Sequence, residues 1–498
     1  MAIEIEDKFD VPLTYKLPDL TGISAEVAGP TSHELVAIYF DTPDLRLAAR
    51  GVTLRRRRGG EDAGWHLKLP KAKGARVEIA YPLTRSAKVV PLELVELVRA
   101  YTRGAVLQPV AELRTRRTAI RFVDGEGTSL AEVADDRVKG TVFGDEPYVD
   151  RWREVEVELL GGDGTLLNRI GRKIRKAGAE PAGAANKLRR LLDASPSGTL
   201  LKERLAPDEG SAGGVVVAYL ASQLTALLAQ DPRVRRAEDD AVHQMRVAAR
   251  RSRSAFKAFR TMLGDTTALQ DELKWLGTVL GEVRDLEVIR ARFAKRLKTL
   301  PPELVVGPVE SRLGSDLEQR ELAGYEHIRE ALSGDRYFAL LDAFDGLLAE
   351  PPLTDKASRS ADKALTAVAV KGWRRVERKY GEARAAEDPE QREVLMHDVR
   401  KAAKRARYTA EALSPVLGGT LPELAKRAEA VQDILGLHQD GVVAQEVLEK
   451  EARAAREAGE DTFTYGVLTG IEREVADRAH KDFPRVWEET VGVVSGLL

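Results

Sequence analysis

The sequence predicts an α+β multidomain protein: an N-terminal antiparallel β-barrel followed by a C-terminal all-α, duplicated helical bundle. Three observations carry the division into a strand-rich half and a helical half. Apolar residues alternate at period two up to about residue 192 and recur at three- and four-residue spacings from about Gly213; a Gly/Pro/Ser-rich stretch lies between; and the second half repeats itself. At 498 residues a single small domain is excluded, and 43% hydrophobic with 32% charged residues suits ordinary cores but not a membrane protein as a whole.

Lys and Arg total 78 against 79 Asp and Glu, so the net charge of -1 says nothing of an anionic partner until the charges are placed. The chain has 0 cysteines, which excludes disulfides, cysteine-ligated zinc and a thiol nucleophile. The start MAIEIEDKF opens with acidic residues rather than the basic region and long apolar run expected of a targeting segment, and no stretch approaches the roughly 18 consecutive apolar residues of a membrane span. A cytoplasmic protein without membrane contact is expected.

Taken in order, Ile3–Lys8, Val52–Arg57, Trp65–Leu69 and Glu154–Leu159 read as half-buried strands. Alternation puts Glu4, Glu6 and Lys8 on one face of the first, and Glu154, Glu156 and Glu158 on one face of the last. Like charges so close raise one another's pKa, and a divalent cation resolves the conflict; hard oxygen donors suit magnesium or manganese. Arg55 aligns with Arg57, Lys68 ends its run, and Arg76 shares a face with Glu78. Acids on one wall and bases on another would let one interior hold a metal-phosphate complex and orient a water for in-line attack.

Ala194–Gly214 has the composition of a surface connector. Beyond it, Val215–Ala229, Val242–Met262, Leu269–Lys298 and Glu393–Leu413 are helical by spacing. His243-Gln-Met-Arg246-Val-Ala-Ala-Arg250-Arg251-Ser-Arg253 returns as His397-Asp-Val-Arg400-Lys401-Ala-Ala-Lys404-Arg405-Ala-Arg407, offset by 397 − 243 = 154 residues. Leu280-Gly281 with Asp285, and Leu435-Gly436 with Asp440, follow in the same order, so two whole sub-bundles are duplicated.

At about 100° per residue, His243, Arg246, Arg250, Arg253 and Lys257 share one arc, and His397, Arg400, Lys404 and Arg407 share the equivalent arc. From His243 to Arg260 there are six Lys or Arg and no acid, so local i±4 partners are missing and the charge is expected to be left for an external ligand. Guanidinium groups match phosphate oxygens in bidentate fashion, which points to a phosphate chain. Nucleic acid fits less well, because aromatic residues that stack on bases are only 5% of the chain. If the duplicated halves pack about a pseudo-two-fold axis, the two stripes would meet in one cationic groove, which Lys371–Lys379 and the pair Arg284 and Arg290 would extend.

Glu4-Ile-Glu6-Asp-Lys8 resembles the ExExK signature of the CYTH family, the triphosphate tunnel metalloenzymes. Tyr39-Phe-Asp41-Thr, Leu54-Arg55-Arg-Arg57, Lys68, Arg76-Val-Glu78, Arg117, Glu132 with Asp135, Glu154–Glu158 and Lys187 follow in the family's order. The resemblance implies a triphosphate-binding barrel in which Glu4, Glu6 and Lys8 are catalytic. It places Glu4, Glu6, Asp135, Glu156 and Glu158 with the metal, the last two favoured among the three late glutamates. It places Lys8, Arg55, Arg57, Lys68, Arg76, Arg117 and Lys187 with the phosphates, while Arg114 and Arg116 do not match the family's spacing.

The second half is similar to the CHAD domain, a conserved-histidine helical domain associated with inorganic polyphosphate. The resemblance implies a polyphosphate site of His243, Arg246, Arg250, Arg251, Arg253, His397, Arg400, Lys401, Lys404, Arg405 and Arg407, with Lys404 departing from the arginine of the first repeat. The expected division is a tunnel domain over 1–193, a linker over 194–213 and a helical domain over 214–498, its repeats covering about 214–345 and 355–498. The expected function is polyphosphate binding joined to a metal-dependent tripolyphosphate hydrolase that uses magnesium or manganese. Alternatives are a tunnel that binds without turnover, and adenylyl-cyclase-like use of ATP. Oligomeric state is left open, and polyphosphate granules are an expected place of association.

Overall fold

The computed structural model describes residues 2–23, 26–72, 75–86, 88–201, 208 and 210–497; for 2–4, 72, 75, 200, 201, 496 and 497 it describes the backbone alone. The chain forms two compact units, Met1–Glu203 and Arg204–Leu498. Much of the expected linker, residues 202–207 and 209, lies outside the described residues.

The first unit contains β1 (Ala2–Val11), β2 (Glu26–Asp41), β3 (Thr53–Arg58), β4 (Gly64–Ala72), β5 (Ala75–Tyr81), α1 (Leu92–Thr102), β6 (Gln108–Val123), β7 (Ser129–Val142), β8 (Tyr148–Leu159), α2 (Gly164–Lys176), β9 (Glu180–Pro181) and α3 (Lys187–Ala194). The strands form one antiparallel nine-stranded sheet in the order β5-β4-β3-β2-β6-β7-β8-β1-β9. β1 pairs with β8 through Glu6–Val11 and with β5 through Ala2–Ile5, so the sheet curls back around its inner face.

Much of that inner face is charged, and alternation sends the apolar residues between those charges outward, although Leu35, Ala37, Tyr39 and Leu113 also line the inner side. Phe9, Phe122, Val133, Val155 and Val157 are buried in one cluster with Ile170 and Ile174 of α2. At about 1.5–3 kcal/mol for each large apolar side chain removed from water, this outer packing holds the strands while their inner residues stay polar. A second cluster joins Leu113, Val138 and Trp152 to Leu188, Leu191 and Leu192 of α3. Gly140 permits that approach, since a Cβ there would stand 2.8 Å from the Leu191 methyl groups. Asn186 caps α3 by accepting from the Arg189 N–H at 2.8 Å, which fixes Lys187 at the first helical position.

The second unit is helical: α4 (Ala212–Arg235), α5 (Ala241–Ala258), α6 (Thr267–Leu297), α7 (Leu317–Ser333), α8 (Asp335–Ala349), α9 (Ala361–Ala385), α10 (Pro389–Leu417), α11 (Leu421–Glu457) and α12 (Phe463–Leu497). Ile289 and Phe293 of α6 and Leu317 of α7 share a buried cluster with Ala444 and Leu448 of α11 and Tyr465 and Leu468 of α12. The sequence expectation about membrane spans needs correction at α4, which by length and composition is long and apolar enough to cross a membrane; 56% of its apolar window is buried inside the unit. Ser222, Gln223 and Thr225 interrupt the run, so a count of consecutive apolar residues passes over it.

Candidate functional site

The inner face of the curled sheet encloses a cavity of about 320 Å³. Glu6 and Lys8 line it from β1, Arg55 and Arg57 from β3, Lys68 from β4, Arg76 and Glu78 from β5, Arg117 and Arg121 from β6, Glu132 and Asp136 from β7, Glu156 and Glu158 from β8, and Lys187 from α3. Strand register sorts them into levels. Glu6 stands opposite Glu158, which stands opposite Glu132. One step along, Lys8 faces Glu156; one step further, Asp10, Glu154 and Asp136 align, with Arg117 opposite Asp136.

The lower levels are internally neutralised. Lys187 Nζ lies 2.7 Å from both Glu154 and Glu156 and 3.0 Å from Asp136. Arg117 donates to Asp136 through Nε at 2.8 Å and to Glu156 at 2.8 Å, and Lys8 donates to Glu156. Burial pushes Glu156 up, but Lys187, Lys8 and Arg117 outweigh it and hold its carboxyl well below the usual range. Burial likewise works against Lys187, which Glu154, Glu156 and Asp136 hold charged.

The Glu6–Glu158–Glu132 level differs. Glu158 carries no hydrogen bond or ion pair among the described residues, and burial raises its pKa, with Glu6 and Glu156 adding to the rise over the pull of Lys68. Glu132 is held by Arg121 at 2.9 Å, and Glu6 by Lys8 at 2.9 Å. Across the cavity, Arg57 is pushed down to about 9 by burial and by Arg55 and Arg117, and still carries its charge at neutral pH. His66 reaches Glu78 at 2.6 Å and Lys68 approaches it at 3.8 Å.

Among the expected tunnel residues, Glu6, Lys8, Arg55, Arg57, Lys68, Arg76, Arg117, Glu156, Glu158 and Lys187 are brought together here. The backbone of Glu4 pairs with Arg76, but its side chain lies outside the described residues. Asp135 is the correction: it points away from the cavity and is clamped by Arg153 at 2.8 and 2.7 Å, while Asp136 lines the cavity instead. Arg114 and Arg116 are surface residues paired with Glu112 at 2.6 Å and Glu34 at 2.7 Å. Glu132 and Asp136 complete the acidic wall without having been assigned to it, and their parity on one strand was the signal that would have found them; Glu154, expected on the acidic face, is taken up by Lys187 at 2.7 Å.

In the helical unit, the stripes of α5 and α10 converge. Burial first, then Arg250, Arg400 and Arg246, lower the Lys404 pKa to about 8, and Arg405 is lowered by burial and by Arg375 and Arg260. Arg250 donates to the Tyr408 hydroxyl at 2.9 Å, and Arg250, Arg251 and Arg407 all lie over the Tyr408 ring at 5.5 to 5.9 Å. The Leu-Gly…Asp elements have a geometric explanation. Asp285 pairs with Arg246 at 2.8 Å and Asp440 approaches Arg400 at 3.9 Å. A Cβ at Gly281 would sit 3.3 Å from Arg246, and one at Gly436 3.4 Å from Arg400.

The expectation that the stripe charges lack protein partners is corrected in part. Arg251 and Arg407 both reach Glu411 at 2.6 Å, and Arg407 also reaches Glu429 at 2.8 Å. Arg284 and Arg290 are likewise engaged by Glu287 at 3.0 Å and Glu321 at 2.9 Å. These acids come from neighbouring turns or other helices, beyond the segment in which acids were counted. Lys401 is an exposed partner of Asp398 at 3.4 Å. Among the described residues, the Nε atoms of Arg251, Arg253 and Arg400 and Nδ1 of His397 are buried without a hydrogen-bond partner. His243 is half-buried, and burial, then Arg284, lowers its pKa. On α9, Lys371 and Arg374 line a surface cavity with Lys363.

Comparison with known proteins places the geometry in context. The CYTH domain model matches residues 2–192 and the CHAD domain model residues 218–449. Two uncharacterized proteins of Mycobacterium tuberculosis are each 39% identical over 500 residues, covering 96% of this chain and 94% of theirs. Among solved structures, PptA from Streptomyces chartreusis is 24% identical, with a TM-score of 0.46 over 56% of this chain and 99% of its own. The CHAD domain from the plant Ricinus communis is 25% identical, with a TM-score of 0.46 over 58% of this chain and 94% of its own.

Proposed function

Because the chain belongs to the CYTH family through its first unit and to the CHAD family through its second, we propose that it binds inorganic polyphosphate and hydrolyses inorganic triphosphate in its tunnel with a divalent cation. The observation that carries the tunnel reading is one cavity in which Arg55, Arg57, Lys68 and Arg76 confront Glu6, Glu132 and Glu158.

Glu6 and Glu158, with Glu132 beside them, are hard oxygen donors that fit magnesium or manganese, and the strain of placing them opposite one another is what a cation relieves. Such an ion neutralises phosphate oxygens and activates a water. The basic wall holds the phosphate chain by charge-assisted hydrogen bonds. Lys8 orients Glu6, while Lys187 and Arg117 keep the deeper carboxylates ionised and fixed. An adenine ring needs an apolar or stacking surface, and although Leu35, Ala37 and Leu113 lie in the described lining beside Tyr39, whose hydroxyl is 3.5 Å from Arg55, charged side chains dominate it. Inorganic triphosphate is therefore preferred to ATP. A tunnel that binds without turnover is the second reading, favoured by the engagement of Glu156 with three cations.

In the helical unit, Arg250, Arg400 and Arg246 crowd the Lys404 ammonium, and the partnerless Nε–H groups of Arg253 and Arg400 call for an acceptor. A polyphosphate chain meets both requirements. The proposed domains are 1–193 and 214–498, in a cytoplasmic protein. Phosphate release from tripolyphosphate, ATP and long-chain polyphosphate, measured in parallel with and without magnesium, tests the reading. Metal-dependent release fastest from tripolyphosphate and lost in Glu6→Gln is expected; no release from any of the three leaves the tunnel a binding site.

A further inference from the structure

The second unit holds a group of side chains that neither the tunnel nor the basic stripes use. Glu393 of α10, His438 of α11 and His480 of α12 each turn one donor atom toward the others, all within 4.8 Å. We propose that this is a transition-metal site of the zinc class, with two imidazoles and one carboxylate as protein ligands and the remaining positions left to water.

The spacing separates this group from an ordinary hydrogen-bonded cluster. Nδ1 of His438 is 3.8 Å and Nδ1 of His480 3.9 Å from the Glu393 carboxylate, beyond hydrogen-bond range. By contrast, His327 on α7 meets Glu282 at 2.9 Å, as a bonded pair does. The donors thus converge without satisfying one another. On a shared ion with bonds of about 2.0–2.2 Å, they would stand roughly 3–4 Å apart. The separations of 3.8 and 3.9 Å between Glu393 and the two imidazoles already fall in that range.

The surroundings favour a metal that prefers nitrogen. The group borders a cavity of about 220 Å³, where Arg384 and Arg392 also lie. Arg384 stacks over Tyr380 and Arg392 donates to the Ala386 carbonyl at 2.7 Å, so neither needs Glu393. Two guanidinium groups and a single carboxylate make a poor trap for magnesium or calcium, which are held by several oxygens, whereas imidazole ligands suit zinc and its neighbours. The three ligands come from three long helices, so the ion would pin α10, α11 and α12 to each other. Glu393 lies one turn before His397, which puts the pin beside the second basic stripe.

Full-length protein titrated with zinc in millimolar magnesium tests the proposal. One zinc per chain is expected, with X-ray absorption reporting two imidazole nitrogens, and with at least ten-fold weaker binding in His438→Ala and in His480→Ala. Uptake should persist in Glu6→Gln, whose change is confined to the tunnel. Equal zinc affinity and stoichiometry in both histidine variants, loss of uptake in Glu6→Gln, or a parent spectrum with fewer than two imidazoles would each overturn the assignment. The spectrum of the unmodified protein decides the matter even where a variant fails to fold.

Discussion

Lys187 holds Glu154, Glu156 and Asp136 together while only 11% of its side chain is exposed. Lys187→Met removes the shared cation and leaves like charges enclosed, so a loss of about 3–5 kcal/mol is expected, read as a lower urea midpoint for the first unit. Glu158 is the opposite case. Its carboxylate faces those of Glu6 and Glu132 across the strands, so Glu158→Gln should stabilise metal-free protein by up to about 1 kcal/mol. The same change should abolish the rise in melting temperature that magnesium gives the parent; an unchanged magnesium response would remove Glu158 from the metal site. At this scale the sequence was readable wherever strand parity was applied, as for Glu154, Glu156 and Glu158. Asp135 was assigned by family order instead, although Glu132 and Asp135 are an odd number of residues apart and must face opposite ways. Lys187 could be assigned to the phosphates but not to its three acids, because those contacts join α3 to β7 and β8, far apart in sequence.

At the scale of elements, the duplication of α5 and α10 was legible because it leaves the same spacing twice. What spacing could not supply was the partners from other helices: Glu411 for Arg251, and Asp285 for Arg246. Convergence of the stripes has a measurable consequence at Lys404, whose pKa is lowered to about 8 by burial, then by Arg250, Arg400 and Arg246. Between pH 8 and the ordinary lysine range near 10.4 the unfolded chain binds the extra proton, so this group makes the fold more stable as pH rises through that window. A bound polyanion pushes the pKa back up. Polyphosphate binding at pH 9 should therefore take up a proton, seen by calorimetry as a dependence on buffer ionisation enthalpy, and Lys404→Met should cut that uptake. An uptake identical in the variant would mean that the polymer does not reach the converged stripes.

For the whole molecule, the charge balance of -1 concealed two opposed arrangements: acids and bases facing one another inside the curled sheet, and cations gathered where α5 and α10 converge. The antiparallel sheet and the helical unit were readable because one period dominates each half, whereas the expected barrel is here a curled sheet whose curl depends on β1 pairing with both β8 and β5, which no local pattern announces. Covalent linkage of the two units gives a functional expectation. A polymer held by the helical unit raises the local concentration of phosphate chain at the tunnel, while tripolyphosphate is too short to gain from it. Reversing charge with Arg246→Glu and Arg400→Glu together should leave turnover of tripolyphosphate within two-fold of the parent. For long-chain polyphosphate the double variant should raise KM about ten-fold, by more than either single change, and flatten the fall in affinity with added salt, since fewer counterions are released. Equal KM changes for the short and long substrates would show that the stripes act on the tunnel itself rather than by capturing the chain.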